Sequence, residues 1–185
     1  MSLITRVRNY FKPATPSIEE SFAWRYIDLD LDLVEEIKGI YLKNLKADLS
    51  QYEFFQVLPI EIPHVMGRRV IGAGFVYSKG NHTSKYTHKD PVVSGASTFA
   101  LNIPLINCQD SRTTLYRNRK APMYSFYGGR VAEIAKVSDC DPVADYTLDR
   151  PIMFNTQILH AVDNFSPDPR LAISLRFDQN PLEWI

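Results

Sequence analysis

The sequence predicts a mainly β fold, an antiparallel sandwich or jelly roll that is preceded by one helix. Hydrophobic residues recur with helical spacing over residues 32–46, and from about residue 52 the spacing changes to two and stays there. Clusters of Gly, Pro, Asn, Asp and Ser then separate short strands, with no helical pattern between them. Short strands that follow one another without helices are typical of antiparallel sheets packed face to face.

The chain begins with residues that show no sustained periodicity. Residues 1–18 contain Pro13 and Pro16, so we expect a loosely ordered N-terminal arm. The remaining length fits one domain, because a chain of 185 residues that is 45% hydrophobic can bury a single core. We therefore expect residues 19–185 to form one domain.

An alternating segment and an amphipathic helix follow the arm. Residues 27–32 alternate apolar side chains with aspartates, which predicts a strand or an extended segment whose acids face water. Asp32, followed three residues later by Glu35, matches a capping box, so we expect the helix to begin at Asp32 and to end near residue 46. Its apolar face comprises Leu33, Val34, Ile37, Ile40, Tyr41 and Leu45.

The rest of the chain is predicted to form seven strands. Each is a short run with a period of two, bounded by turn residues. The strands are expected over residues 52–60, 69–78, 97–106, 113–117, 130–137, 151–155 and 170–178.

Charge and cysteine content argue against several classes of function. Lys and Arg number 21, as do Asp and Glu, so the long-range field that draws proteins to DNA or anionic membranes is missing. Cys108 and Cys140 form neither a C-x-x-C motif nor a disulfide framework, which fits the reducing cytoplasm. Neither a signal peptide nor a membrane helix is predicted. We therefore expect a cytoplasmic protein without a membrane partner, and charge does not indicate a nucleic-acid partner.

The motifs of several common enzyme classes are absent. The sequence has no G-x-x-x-x-G-K-[ST] phosphate loop, no G-x-G-x-x-G after a strand, no G-x-S-x-G elbow and no H-E-x-x-H zinc motif. Phosphate cradles, nucleophile elbows and helical zinc sites are therefore not expected.

Three residues instead have the pattern of an open metal site. His88 and Asp90 are two apart, so on an extended chain both side chains project to one side while Lys89 points away. With His160 as a distant third ligand, they would form a 2-His-1-carboxylate set, which leaves one face of an octahedral Fe(II) ion open. A structural zinc site would supply four protein ligands. The alternative is that no metal is bound and that His88 and His160 are surface or hydrogen-bonded histidines.

The order of these residues resembles that of the 2-oxoglutarate and Fe(II)-dependent dioxygenases. An H-x-D pair is followed, after a long gap, by His160 and ten residues later by Arg170 at the start of a predicted strand. Segments 99–105 and 150–156 also look like the family's short members. The resemblance covers about residues 50–178 and implies that they form the catalytic core. It implies a double-stranded β-helix, the jelly-roll variant with the metal at the mouth between two sheets.

The resemblance also implies the roles of four residues. His88, Asp90 and His160 match the iron ligands, and Arg170 matches the arginine that binds the far carboxylate of the cosubstrate 2-oxoglutarate. The implied reaction converts 2-oxoglutarate and O2 to succinate and CO2 while an unactivated C–H bond is hydroxylated.

Residue chemistry agrees with the assignment of Arg170. A planar guanidinium forms a two-pronged pair with a carboxylate, and strand alternation puts Ser174 on the same face, where it can donate to the same group. Arg176 shares this face and competes for the role. We expect Arg176 to lie farther than Arg170 from the loop that would carry the metal ligands, so Arg170 is preferred. Arg176 would then form a surface ion pair. Asn102 can face either the pocket or the core.

Two other functions remain open at this point. One is a non-catalytic jelly-roll binding or structural module, in which His88 and Asp90 are incidental. The other is a cupin-like metal enzyme without 2-oxoglutarate. In such enzymes a Glu commonly follows the ligand His by a few residues, and the sequence after His88, Lys89-Asp90-Pro91, does not match this pattern. The sequence does not identify the substrate. A small molecule is preferred, because only about 50 residues precede the core and leave little material for a large recognition surface.

Overall fold

A computed structural model describes residues 23–43, 45, 48–49, 55–91, 95–127 and 130–180 of the chain. The predicted arm over residues 1–18 lies outside this part. Among the described residues, no helix is both long and apolar enough to cross a membrane.

The described chain contains one α-helix and thirteen strands. Their bounds are α1 Leu31–Leu42, β1 Trp24–Tyr26, β2 Phe55–Leu58, β3 His64–Val65, β4 Arg68–Ser78, β5 Tyr86–His88, β6 Phe99–Ile106, β7 Ser111–Asn118, β8 Met123–Tyr127, β9 Arg130–Lys136, β10 Cys140–Tyr146, β11 Ile152–Asn155, β12 Leu159–Asn164 and β13 Arg170–Phe177.

These strands form two antiparallel sheets. The first has the order β1-β11-β6-β13-β4-β2, with β3 added beside β4, and the second has the order β10-β7-β12-β5-β9-β8. From β4 to β7, and again from β10 to β13, successive strands alternate between the two sheets. The chain therefore winds as a double-stranded β-helix, and the predicted jelly roll with an N-terminal helix is confirmed.

The first sheet buries both of its faces. Val34, Ile37 and Tyr41 of α1 pack in one core cluster with Phe75 and Ile173 of the sheet. A second cluster fills the space between the sheets and contains Ala100, Tyr146, Ile152, Phe154 and Ala172. Because side chains alternate along a strand, Ile173 of β13 faces the helix, whereas the residues on either side of it face the space between the sheets. These inward residues are Arg170, Ala172, Ser174 and Arg176.

The start of the chain differs from the sequence prediction. The N-cap of α1 is Asp30, whose Oδ1 accepts hydrogen bonds from the amides of Asp32 at 2.9 Å and Leu33 at 3.3 Å. Asp32 therefore lies in the first turn, where its charge favours the helix dipole. The helix ends at Leu42 rather than near residue 46. Of the two alternatives for residues 27–32, the strand is wrong, because residues 27–30 are an irregular connection after β1 and the helix begins at Leu31.

All seven predicted strands have counterparts, although their bounds shift. The prediction over residues 52–60 corresponds to β2, and residues 51–54 lie outside the described chain. Six strands of the described chain were not predicted, because most are short or carry polar residues on buried faces. In β12, for example, His160 and Asn164 are both buried, so the expected apolar alternation is lost.

Candidate metal centre

His88 and His160 lie directly opposite each other in the second sheet. His88 ends β5, His160 is the second residue of β12, and the two are paired across the antiparallel ladder. Directly opposed residues project to the same face of a sheet. Their ring centroids are 4.4 Å apart, so the two imidazoles form one wall of a site between the sheets.

Asp90 brings a carboxylate to the same point. Its Oδ1 lies 3.3 Å from Nε2 of His88 and 3.5 Å from Nε2 of His160. One donor atom from each residue lies within 4.8 Å of the other two. Two imidazole nitrogens and one carboxylate oxygen suit a first-row divalent metal such as Fe(II), so the donor set fits the predicted ion. Their role as metal ligands stays a prediction.

Lys89 points away from the three donors, as strand alternation predicts. Its Nζ forms an ion pair with Glu133 at 2.8 Å, and its amide donates to the Glu133 carbonyl at 2.9 Å. These contacts fix the segment after β5 against β9. The two flanking side chains, those of His88 and Asp90, therefore face the site together.

His160 is held neutral, with one nitrogen free to bind a metal. Its Nδ1 lies 2.9 Å from the Ile158 carbonyl, which favours the tautomer that donates from Nδ1 and leaves the lone pair on Nε2. Burial and the neighbouring His88 lower the pKa of His160 to about 4, although Asp90 opposes this shift. The Phe154 ring packs at 5.0 Å from the imidazole and limits its rotation.

Asp90 is held by contacts at both its backbone and its side chain. Its amide donates to the Thr156 carbonyl at 3.0 Å, and its carbonyl accepts from Nε2 of Gln157 at 3.0 Å. Arg176 donates from Nη2 to Oδ2 of Asp90 and from Nη1 to Oγ1 of Thr156, the latter at 3.0 Å. Burial alone would raise the pKa of Asp90, but the hydrogen bond from His88 and the charge of Arg176 hold it below its usual range.

The interpretation of Arg176 as a surface ion pair remote from the metal-bearing loop is wrong. The end of β13 lies beside Thr156, which in turn binds Asp90, so Arg176 directly contacts a candidate ligand. Only 23% of its side chain is exposed. This contact between sheets follows from the winding of the chain, which strand alternation alone does not indicate.

Arg170 lies deeper between the sheets and lacks a carboxylate partner among the described residues. It is 1% exposed, its Nε donates to Oγ of Ser111 at 2.9 Å, and its Nη1 has no hydrogen-bond partner. A buried guanidinium without a counter-charge is costly, so an anion bound beside it would be stabilising. Ser78 lies opposite Arg170 in the antiparallel ladder between β4 and β13. Its buried Oγ also has no hydrogen-bond partner among the described residues.

Two further polar atoms between the sheets lack partners. The Tyr146 hydroxyl and Oδ1 of Asn102 are buried without hydrogen bonds to the described chain. Burial raises the pKa of Tyr146 well above its usual range, so the phenol stays protonated and can donate. Ser174 is buried beside Asn102 on the same face. Its proposed contact with the ligand of Arg170 stays a prediction.

The sequence interpretation missed three residues of this site. Thr156, Tyr146 and Ser78 come from a turn and from the ends of two strands. Hydroxyl residues are common at such positions for turn formation alone, so their types gave no signal. Asn102, for which pocket and core were both open, is buried and faces the space between the sheets.

The comparisons with known proteins concern the fold. The chain is similar to a solved oxalate decarboxylase, at 10% identity and a TM-score of 0.35 over 75% of this chain and 29% of that one. It is also similar to the non-haem α-ketoglutarate-dependent carbocyclase SnoK, at 14% identity and a TM-score of 0.43 over 84% of this chain and 79% of that one. A third similar structure is the epimerase SnoN, solved with Fe3+, α-ketoglutarate and nogalamycin RO. It is 9% identical, with a TM-score of 0.43 over 94% of this chain and 82% of that one.

The chain spans less than a third of the oxalate decarboxylase chain that it matches. No protein-family model matches the sequence, and no curated protein matches it.

Proposed function

We propose that the protein is a non-haem Fe(II) and 2-oxoglutarate-dependent oxygenase that hydroxylates an unactivated C–H bond of a small-molecule substrate. The observation that carries this proposal is the convergence of His88, Asp90 and His160 on one point between the sheets. Three protein ligands leave part of the coordination sphere open, as an oxygenase requires and as a closed structural metal site does not.

The three candidate ligands would hold Fe(II) in a fixed orientation. His160 supplies a neutral Nε2 and Asp90 an ionised oxygen, while Arg176 engages the second oxygen of that carboxylate. When bound, Fe(II) and 2-oxoglutarate supply the oxidising chemistry, in which O2 is consumed and succinate and CO2 are released. The apolar packing of Phe154 against His160 keeps water from that side of the site.

Arg170 supports the second half of the proposal. Its unpaired Nη1 and the protonated Tyr146 hydroxyl would donate to the distal carboxylate of 2-oxoglutarate, with Ser174 on the same inward face. A charge-assisted bond to a dicarboxylate would satisfy a buried cation that otherwise lacks a counter-charge. The buried, unpaired guanidinium also distinguishes this proposal from a cupin-like enzyme without 2-oxoglutarate or a non-catalytic module, neither of which needs it.

Turnover without the true substrate tests this function. Protein supplied with Fe(II) and a reductant should slowly form succinate from 2-oxoglutarate, and a non-reacting 2-oxoglutarate analogue should block this. Asp90→Ala should abolish succinate formation, whereas Asp141→Ala, which removes an exposed carboxylate on the same sheet, should not. Iron-loaded protein that neither binds 2-oxoglutarate nor forms succinate would count against the proposal.

A further inference from the structure

A cavity of about 720 Å³ opens beside His88. It lies against β5, β8 and β9 and is closed on one side by residues 79–85, the connection between β4 and β5. This volume is within the range of about 300–1,000 Å³ that small-molecule sites occupy. Ala132, Ile134 and Val162 give the cavity an apolar portion next to the candidate metal ligand.

The charged residues of the lining have one sign. Lys79 and Lys85 both line the cavity, and among the described residues no Asp or Glu does. Neither lysine forms an ion pair with a carboxylate of the described chain. Lys and Arg equal Asp and Glu over the whole sequence, so this excess of positive charge is local. Such a lining favours an anionic ligand.

Two nearby acids bind other groups. Oδ1 of Asp163 accepts from the Ser84 amide at 2.8 Å, and Glu133 pairs with Lys89 at 2.8 Å. Neither of these carboxylates forms an ion pair with Lys79 or Lys85. Hydroxyl groups that can donate to an anion also line the cavity, on Thr83, Tyr86 and Ser125.

Backbone contacts fix the segment that carries both lysines. The Asn81 amide donates to Ser166 at 2.8 Å, His82 pairs with Asn164, and the Lys85 carbonyl accepts from Val137 at 3.0 Å. The segment is thus held at its start, middle and end. A wall that is already ordered loses little conformational entropy when a ligand binds.

We propose that this cavity binds a small-molecule substrate that carries a carboxylate or a phosphate ester, with Lys79 and Lys85 pairing with that group. The inference rests on the proposed function, because it takes His88 to mark the reacting end of the substrate. The apolar part of the substrate would lie along Ile134 and Val162, which orients a C–H bond toward the candidate metal centre.

The test compares hexanoate, hexyl phosphate and hexanol, which share an alkyl chain and differ in charge. Binding to the full-length protein is measured by ligand-observed NMR titration with excess 2-oxoglutarate, so that Arg170 is occupied. We expect the anions to bind about fivefold more tightly than hexanol, since exposed ion pairs contribute modestly. The double variant Lys79→Gln/Lys85→Gln should lose this preference, and Lys43→Gln, at an exposed lysine after α1, should keep it.

Each outcome is decisive. Tighter binding of hexyl phosphate than of hexanoate would assign a phosphate ester, and the reverse order a carboxylate. Equal binding of anions and hexanol, or a preference that survives in the double variant, would overturn the inference. So would hexanoate that competes fully with 2-oxoglutarate, because it would then occupy the Arg170 site. The titration needs neither iron nor turnover, so a lack of preference for the anions would leave the proposed function standing. A failure to bind 2-oxoglutarate would count against the proposed function and is measured separately.

Discussion

The two carboxylate oxygens of Asp90 have different neighbours. Oδ1 faces the Nε2 atoms of His88 and His160, whereas Oδ2 accepts from Arg176. Oδ1 would therefore be the oxygen available to a metal, because the guanidinium already engages Oδ2. Arg176 is therefore a positioning residue in this account, acting on the metal through Asp90.

Replacing Arg176 should weaken metal binding. Arg176→Gln removes the charge that orients Oδ2, and loss of a group that orients a metal ligand typically lowers metal affinity by about 10–100-fold. An anaerobic Fe(II) titration measures this change. Unchanged iron affinity in a folded Arg176→Gln protein would show that the contact with Asp90 has no positioning role.

Replacing Arg170 should instead weaken cosubstrate binding. Arg170→Lys keeps the charge but loses the planar fork, so 2-oxoglutarate affinity should fall by roughly tenfold or more, equivalent to about 1.4 kcal/mol. Calorimetry with 2-oxoglutarate measures the loss, and iron affinity should barely change. If Arg176→Lys weakens 2-oxoglutarate binding more than Arg170→Lys does, the two assignments must be exchanged.

At the residue scale, local spacing predicted part of the site. The i, i+2 relation places His88 and Asp90 on one side and Lys89 on the other, and the structure has this arrangement. The contact between Asp90 and Arg176 depends on how the end of one strand lies against a turn of the other sheet. No periodicity in the sequence carries that information.

At the element scale, two glycines differ in the space around them. A Cβ on Gly80 would lie 1.9 Å from the Pro167 carbonyl oxygen, whereas a Cβ on Gly39 of α1 would meet no atom within 4 Å. Gly80 therefore permits the close approach between residues 79–85 and the turn before β13. The wall of the cavity depends on that approach.

Alanine substitutions at these glycines should have opposite effects on the free energy of unfolding. Gly80→Ala should lower it by about 1–3 kcal/mol, because backbone must move apart. Gly39→Ala should raise it by up to about 1 kcal/mol, since alanine favours helices. Urea denaturation of both variants measures the difference. A Gly80→Ala protein as stable as wild type would mean that the segment adapts without cost.

Secondary structure was predictable where hydrophobic residues recur with one period over a whole element. Helical spacing located α1 but not its cap, which is Asp30 and not Asp32, because the Asp30 side chain accepts from the first amides of the helix. The strand that carries His160 was missed because polar residues occupy its buried face. Buried polar residues thus remove the alternation of apolar and polar side chains by which a strand is recognised in a sequence.

At the scale of the whole molecule, the candidate site joins the two sheets. His88 and His160 come from the second sheet, and Arg170 and Arg176 come from β13 of the first. The jelly roll was predictable because the number of short strands and the lack of helices between them restrict the possible architectures. Which strands meet across the interior required the three-dimensional structure.

The most direct test of the central claim is an anaerobic titration of the purified protein with Fe(II) and then with 2-oxoglutarate. We predict binding of one iron, followed by cosubstrate binding that gives heat in calorimetry and a weak visible charge-transfer band. His88→Ala, Asp90→Ala and His160→Ala should each abolish tight iron binding and the band while the chain stays folded. A folded, iron-loaded wild-type protein that shows neither heat nor a band with 2-oxoglutarate would contradict the account and favour a non-catalytic binding module.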